Sequence, residues 1–212
     1  VEPRQVPPGG ELHTLQTNKK QAGVTVAVPG MKVTNLDDRF AISVLDTIIS
    51  GYRLPSGWLH DELRGKQLVY VVHAHNWSGL NPGAFVTYAA CQPEKAQEVV
   101  EIIERNLRRA TTYTPTQQEV DLAVNAILTA DLLGKQKLAD LSMDAALDEC
   151  YGLGYDFRKS LEQRLRAVTP EDVRRVAEKY LSGGYFVAVT TPKPELLKED
   201  AAVVTQESAG GE

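Results

Sequence analysis

Residues 56–72 read Ser56-Gly57-Trp58-Leu59-His60-Asp61-Glu62-Leu63-Arg64-Gly65-Lys66-Gln67-Leu68-Val69-Tyr70-Val71-Val72, and the hydrophobic period changes inside this stretch. Trp58, Leu59 and Leu63 fall on one face of a short helix, and Gly65 is a natural stop for it. From Leu68 the chain becomes a β-rich run that continues to Trp77. A short amphipathic helix, entered through a Pro55-Ser56-Gly57 loop, therefore feeds directly into a strand. The next run, Ala84–Cys91, follows a Ser78-Gly79-Leu80-Asn81-Pro82-Gly83 connection whose turn chemistry suits two antiparallel strands.

Upstream, 11–17 and 21–28 read as two more short strands with a turn at Asn18-Lys19-Lys20, the second carrying Val24, Val26 and Val28 on one face. A helix then runs to Gly51, with Phe40, Val44, Leu45, Ile48 and Ile49 as its apolar stripe and Asn35 or Asp37 as its cap. Downstream, Pro93 opens a helix through Ala110 with Val99, Ile102, Ile103 and Leu107 inward. Thr114-Pro115-Thr116-Gln117 predicts an N-cap at Thr114 and a helix to about Leu133, interrupted at Gly134. Helices over 138–151 and 157–167 follow, and Thr169-Pro170-Glu171-Asp172 caps another to Leu181. Gly183-Gly184 turns the chain into a last strand, 185–190. Clustered strands beside clustered helices predict an α+β architecture, a mostly antiparallel sheet with helices on one face. The expected division is a flexible Pro/Gly-rich lead-in (1–10), a single domain (11–192) and a frayed tail (193–212).

With 23 Lys+Arg against 28 Asp+Glu and a formal net charge of -5, the 212-residue chain carries no overall basic footprint for nucleic acid or anionic lipid. Its apolar runs fall short of the roughly 20 residues of a membrane helix. The chain starts at Val1 without an initiator Met, as an excised or processed piece of a longer protein would. Cys91 and Cys150 are too few and too far apart for a disulfide framework or thiolate zinc site, and read as two buried free thiols. Glu94, Glu98, Glu101 and Glu104 have the spacing of a solvated helix stripe.

Neither His-Glu-x-x-His nor its inverse His-x-x-Glu-His occurs, and there is no nucleophile elbow, phosphate loop or dinucleotide fingerprint. His73 and His75, two apart on a strand, share a face and would bind a metal only with a third ligand. Without one they form, with Trp77, a polar strand face that would suit a stand-alone binding module.

The 56–72 stretch resembles the helix-to-strand signature in the C-terminal half of pitrilysin/insulinase-type zinc peptidases, particularly their processing-peptidase-like branch. The resemblance runs from about Leu12 to Pro192 through Asp37-Asp38, Gly83-Ala84-Phe85, Gln92-Pro93-Glu94-Lys95, Thr169-Pro170-Glu171-Asp172-Val173, Ala177 and Tyr180-Leu181. It implies a two-half enzyme whose other half carries the zinc motif, so no cofactor is expected in this chain and zinc is expected on the partner half. It also implies that Arg64 and Tyr70 hold the substrate backbone. A guanidinium and a phenol both donate to peptide carbonyls and can orient a scissile bond near a metal they do not touch. The family usually has Gly-Leu-x-Tyr here and spaces its Arg and Tyr one residue further apart; this chain has Gln67-Leu68-Val69-Tyr70. The expected partners are a homologous zinc-binding half, upstream in the same chain or a separate subunit, and an unfolded peptide substrate. No nucleic acid or membrane is expected, and the isolated domain can self-associate through the surface meant for its partner. The alternative keeps the fold without catalysis, as an inert scaffold or assembly subunit.

Overall fold

The computed structural model describes residues 4–51, 54, 57–197 and the backbone of 202 and 203. The expected flexibility of residues 1–3, the Pro55-Ser56 part of the loop and the tail beyond 197, apart from 202 and 203, lie outside the described residues.

Five strands, β1 (Glu11–Gln16), β2 (Ala22–Pro29), β3 (Val69–Trp77), β4 (Ala84–Cys91) and β5 (Phe186–Thr191), form a sheet of order β3-β4-β2-β5-β1. A two-residue strand, β6 (Ala202–Val203), extends the β1 edge. The β3–β4, β4–β2 and β2–β5 pairs are antiparallel, whereas β1 runs parallel to β5 and to β6, so the sheet is mostly antiparallel as expected. The turn at 18–20 does not make a hairpin of β1 and β2, because β5 returns from the far end of the chain and inserts between them. Such a late insertion leaves no local trace, since each strand still alternates correctly on its own.

Alternation along the strands separates two faces. Val24, Val26 and Val28 of β2 and Val187 and Val189 of β5 are buried, while Thr25, Ala27 and Ala188 between them are half-exposed. The buried side is covered by helices. Helix α1 (Leu36–Ser50) packs on β3 and α2 (Ala96–Thr112) on β2 and β4; α6 (Pro170–Leu181) packs beside both helices. An outer layer of α3 (Gln117–Gly134), α4 (Leu138–Cys150) and α5 (Leu161–Arg166) rests on this inner one through contacts of α1 with α3 and α5.

Several helix ends differ locally from expectation. The N-cap of α3 is Thr116, whose hydroxyl accepts from the Glu119 N–H while Glu119 reaches back to the Thr116 N–H, a full capping box one turn-setting residue after Pro115. Asn35 sits at the start of α1 but makes no cap hydrogen bond; its amide donates to Asp38 instead, at 3.0 Å. Thr169 and Asp172 form the box expected for α6. Cys91 is buried, with its thiol pushed up to about 11 by burial, but Cys150 is exposed on α4, which packs less tightly than its periodicity suggests. At the two ends, Gly10 N–H donates to Pro7, Arg4 pairs with Glu11, and Leu197 is buried after a 3-10 turn at Pro194–Leu196.

The tightest tie between distant segments is Asp38, 1% exposed, between α1 and α6. Its carboxylate accepts from Arg175 at 2.5 Å, Lys179 at 2.6 Å and the Tyr180 hydroxyl at 2.7 Å. Burial alone would raise its pKa, but the Lys179, Arg175 and Tyr180 hydrogen bonds outweigh burial and hold it well below the ordinary 3.8. The unfolded chain therefore binds this proton first on acidification, so the stabilisation is complete above 3.8 and is lost as pH falls through the lower folded value. Asp38→Ala is expected to destabilise the domain by about 3 kcal/mol at neutral pH, measured by urea unfolding, because it removes the carboxylate from a buried ion-pair network. The deficit should begin to shrink below 3.8 and go on shrinking as pH falls towards the lower folded value.

Candidate functional site: the helix-to-strand corner

The segment 57–68 is pinned to the helical layer on three sides. Gly57 lies back to back with Gly51, where a Cβ would sit 2.4 Å from the Gly51 backbone; Gly51 itself adopts φ 65 at the end of α1. His60 Nδ1 is 2.7 Å from the Ser50 carbonyl, so that nitrogen carries the proton and donates. Glu62 accepts from Asn106 at 2.7 Å and Arg105 at 2.9 Å, both on α2. Burial opposes the ionised Glu62, yet these two donors leave its pKa below the usual carboxylate value. Leu59 and Leu63 are fully buried. Trp58 is half-buried, edge-on to Tyr113 at 5.2 Å with the Arg109 guanidinium 4.0 Å from its ring centre.

The helix ends at Arg64 with Gly65 as its C-cap, as expected, but its last turn is not α-helical. His60–Arg64 is a π turn closed by the Gly65 N–H donating to the His60 carbonyl, and Gly65 keeps right-handed helical angles. The reversal falls at Gln67, φ 56, the one non-glycine residue with positive φ among the described residues. Gln67 N–H donates to Arg64 O at 2.9 Å and Leu68 N–H to Leu63 O at 2.8 Å, the paired bonds of a Schellman motif with Leu63 and Leu68 buried behind it. A left-handed residue after the helix stop is the position where glycine is ordinarily favoured, and here a glutamine is forced into it. The sequence signal was the family's glycine at this site; Gly65, two residues earlier, marks the helix end but not the left-handed residue.

β3 begins with a second irregularity. Val69 pairs with Cys91 and Val71 with Ala90, so Tyr70 is the extra residue of a β-bulge. Tyr70 is 54% exposed. The bulge resets the alternation, placing Val72 and Ala74 inward and His73, His75 and Trp77 on the open face. Arg64 ends the π turn, is exposed, and takes part in no ion pair among the described residues. Arg64 and Tyr70 thus stand on either side of a turn whose flanking residues Leu63, Leu68 and Val69 are buried.

His73 and His75 lie with ring centres 6.1 Å apart, and no three His, Cys, Asp or Glu side chains are grouped to hold a metal among the described residues. Burial, then His75, His60 and Arg64, push the His73 pKa below 6.5. What the corner offers chemically at neutral pH is a permanent cation, a phenol and an uncharged His73, which are groups for holding and orienting rather than for activating water.

The fold defines a class, an α+β domain with one helix-covered sheet face, one open face, and no grouped metal ligands among the described residues. Residues 1–127 match the family described as the peptidase M16 inactive domain. The chain belongs to that family. It is 29% identical over 191 residues to an uncharacterized zinc protease of Streptomyces coelicolor, a match covering 89% of this chain and 41% of that protein. The chain therefore spans about two fifths of that relative's length. The M16 inactive domain from Pseudomonas fluorescens superposes with a TM-score of 0.75 at 19% identity, over 91% of this chain and 45% of that one. A chain of complex III2 from Candida albicans does so with a TM-score of 0.75 at 16% identity, over 90% and 47%. At those identities the two structures are similar to this chain in fold.

Two measurements test the corner. Gln67→Gly should raise stability by about 1 kcal/mol in urea unfolding, because relief of the left-handed strain exceeds the added chain entropy. For His73 the folded pKa lies below the unfolded value of 6.5, so the stability it contributes is complete above 6.5 and declines as pH falls towards the folded pKa. His73→Gln should flatten the stability profile in that window, while an unchanged slope would place the acid sensitivity elsewhere.

Proposed function

We propose that this chain is the substrate-holding half of a two-half zinc metalloendopeptidase. Alone it is inactive; with a homologous zinc-bearing half, in the same chain or in a separate subunit, it closes over an unfolded peptide. Arg64 and Tyr70 donate to carbonyls of the peptide backbone and hold the scissile bond in register with zinc and its base on the other half. The single observation that supports this reading most is Arg64, an exposed guanidinium without an ion-pair partner among the described residues, at a corner pinned on every other side. A surface arginine with no role in folding would not need Gly57, His60 and Glu62 all fixed around it. Inside the closed pair, water exclusion would strengthen each of these donors.

A second reading has its own support. The fold likeness to a chain of complex III2 suits a scaffold or assembly subunit that keeps the architecture without turnover.

The two separate on reconstitution with the zinc half. Arg64→Ala should lower kcat by roughly ten- to a thousandfold with unchanged unfolding midpoint, and Tyr70→Phe by about tenfold, as for lost transition-state donors. Arg64→Lys should recover part of the loss, since it restores a donor without the planar fork. Full activity in both the Arg64→Ala and Tyr70→Phe pairs would leave the scaffold reading.

A further inference from the structure

Charge is divided between the two sides of this molecule. The chain has 28 Asp+Glu and a formal net charge of -5, yet the strands of the sheet carry a single carboxylate, Glu11, and it is already paired with Arg4 and His13, both at 2.8 Å. Four of the segments that join or border the strands, 17–21, 30–34, 65–68 and 78–83, contain Lys19, Lys20, Lys32 and Lys66 and no acid, while those after β4 and β5 carry Glu94, paired with Lys193, and Glu195. The acids lie overwhelmingly on the helical layer and its loops, where Glu62, Glu104 and Asp131, for example, meet basic partners.

The open face is also aromatic. Trp77 is 64% exposed and Tyr88 42%, with Tyr70 at the same edge. Registers place His73 opposite Tyr88 and Tyr88 opposite Thr25, so these rings stand on one surface with small neighbours on β2. Isolated exposed aromatics need no explanation, but several on one sheet face, rimmed by lysines and free of unpaired carboxylates, form a recognition surface.

We propose that the open sheet face selects extended peptide segments in which acidic residues accompany aromatic or large apolar ones. The inference rests on the substrate-holding reading and names its substrate class. Apolar and aromatic side chains lie against Trp77 and Tyr88, and carboxylates meet the rim cations and Arg64. The complementarity is local, since an acidic peptide is repelled by the molecule as a whole and attracted only by this side. Such an arrangement fixes orientation as well as affinity.

The test is fluorescence anisotropy of labelled, unstructured peptides on the 212-residue chain. The peptides are equal in length and aromatic content and differ in bearing glutamate, serine or lysine. The glutamate peptide should bind roughly tenfold tighter than the lysine one at low salt, with the difference shrinking as salt is raised. Trp77→Ser should weaken all three alike, and Lys32→Glu should narrow the gap; both positions are exposed, so folding is not at stake. Equal binding, or preference for the lysine peptide, overturns the inference. So does stronger competition by an oligothymidine, which would make the surface a nucleic-acid site. Absence of peptide binding together with a dimer in sedimentation also overturns it, since a second copy would then cover the face. A lost charge preference alongside an intact Arg64→Ala effect on turnover sinks this inference and leaves the substrate-holding reading standing; loss of both sinks both.

Discussion

A buried carboxylate between the first helix and the last, Asp38, sets the conditions for the remaining architecture. It is reached by Arg175, Lys179 and Tyr180 across sequence separations of 137 to 142 residues. Because α6 leads directly into β5, fastening α6 to α1 delivers β5 to the slot between β1 and β2. The cost of burying the carboxylate is moderated because Arg175 and Lys179 keep about half of their side-chain surface in water and only the acid is fully withdrawn. One desolvated group with several charge-assisted donors is a more favourable arrangement than a wholly buried ion pair. The sheet order is thus secured by a polar tie at one end and by the apolar stripes of β2 and β5 beneath the helices.

Most elements were legible in the sequence because their signals are local. The alternation of Val24, Val26 and Val28, the capping residues Thr169 and Asp172, and the glycines at 51, 152 and 154 act within a few residues of where they stand. What was not legible depends on partners far along the chain. Asp37-Asp38 reads as ordinary acid at a helix start, and nothing near it announces Arg175 or Lys179. Thr114 and Thr116 offer two caps to one helix; only the Glu119 side chain, reaching back from the third position, decides for Thr116. Cys150 has helical periodicity on its side, but α4 lies in the outer layer, where periodicity does not guarantee cover. For the site, the residue types and their corner were visible, whereas the π turn and the bulge were not, since both are irregularities that keep the composition of a regular element.

The division of charge and the anchoring of the corner are two aspects of one layout. Every group that pins 57–68 faces the helical layer: Gly51, Ser50, Asn106 and Arg105. Arg64 is what remains on the other side, next to a sheet whose described strands carry no acid apart from the paired Glu11. An arginine keeps its donors available only if no neighbouring carboxylate captures them, and among the described residues neither Asp61, three residues before it, nor Glu62, held by Asn106 and Arg105, pairs with Arg64. The same segregation lets a chain of net negative charge hold a local field of opposite sign, because screening confines each field to about 10 Å at ordinary ionic strength.

The shortened spacing between Arg64 and Tyr70 then has a physical reading. Leu59 and Leu63 on one side and Leu68 and Val69 on the other are buried, so the ends of the corner cannot slide. A change of one residue must be taken up between them or at their margins. A π closure at Gly65 and a bulge at Tyr70 each accommodate one residue more than a regular helix or strand, so neither makes up a missing one, and the shorter connection falls on the tight turn between them. Between them, Gln67 adopts a left-handed conformation that costs an L-residue about 1 kcal/mol or more relative to a right-handed one. A turn kept against the preference of its own residue is one that the surrounding packing dictates. The geometry that presents Arg64 and Tyr70 is therefore imposed from the anchors outward, and it persists although the glycine that would normally accompany it is missing.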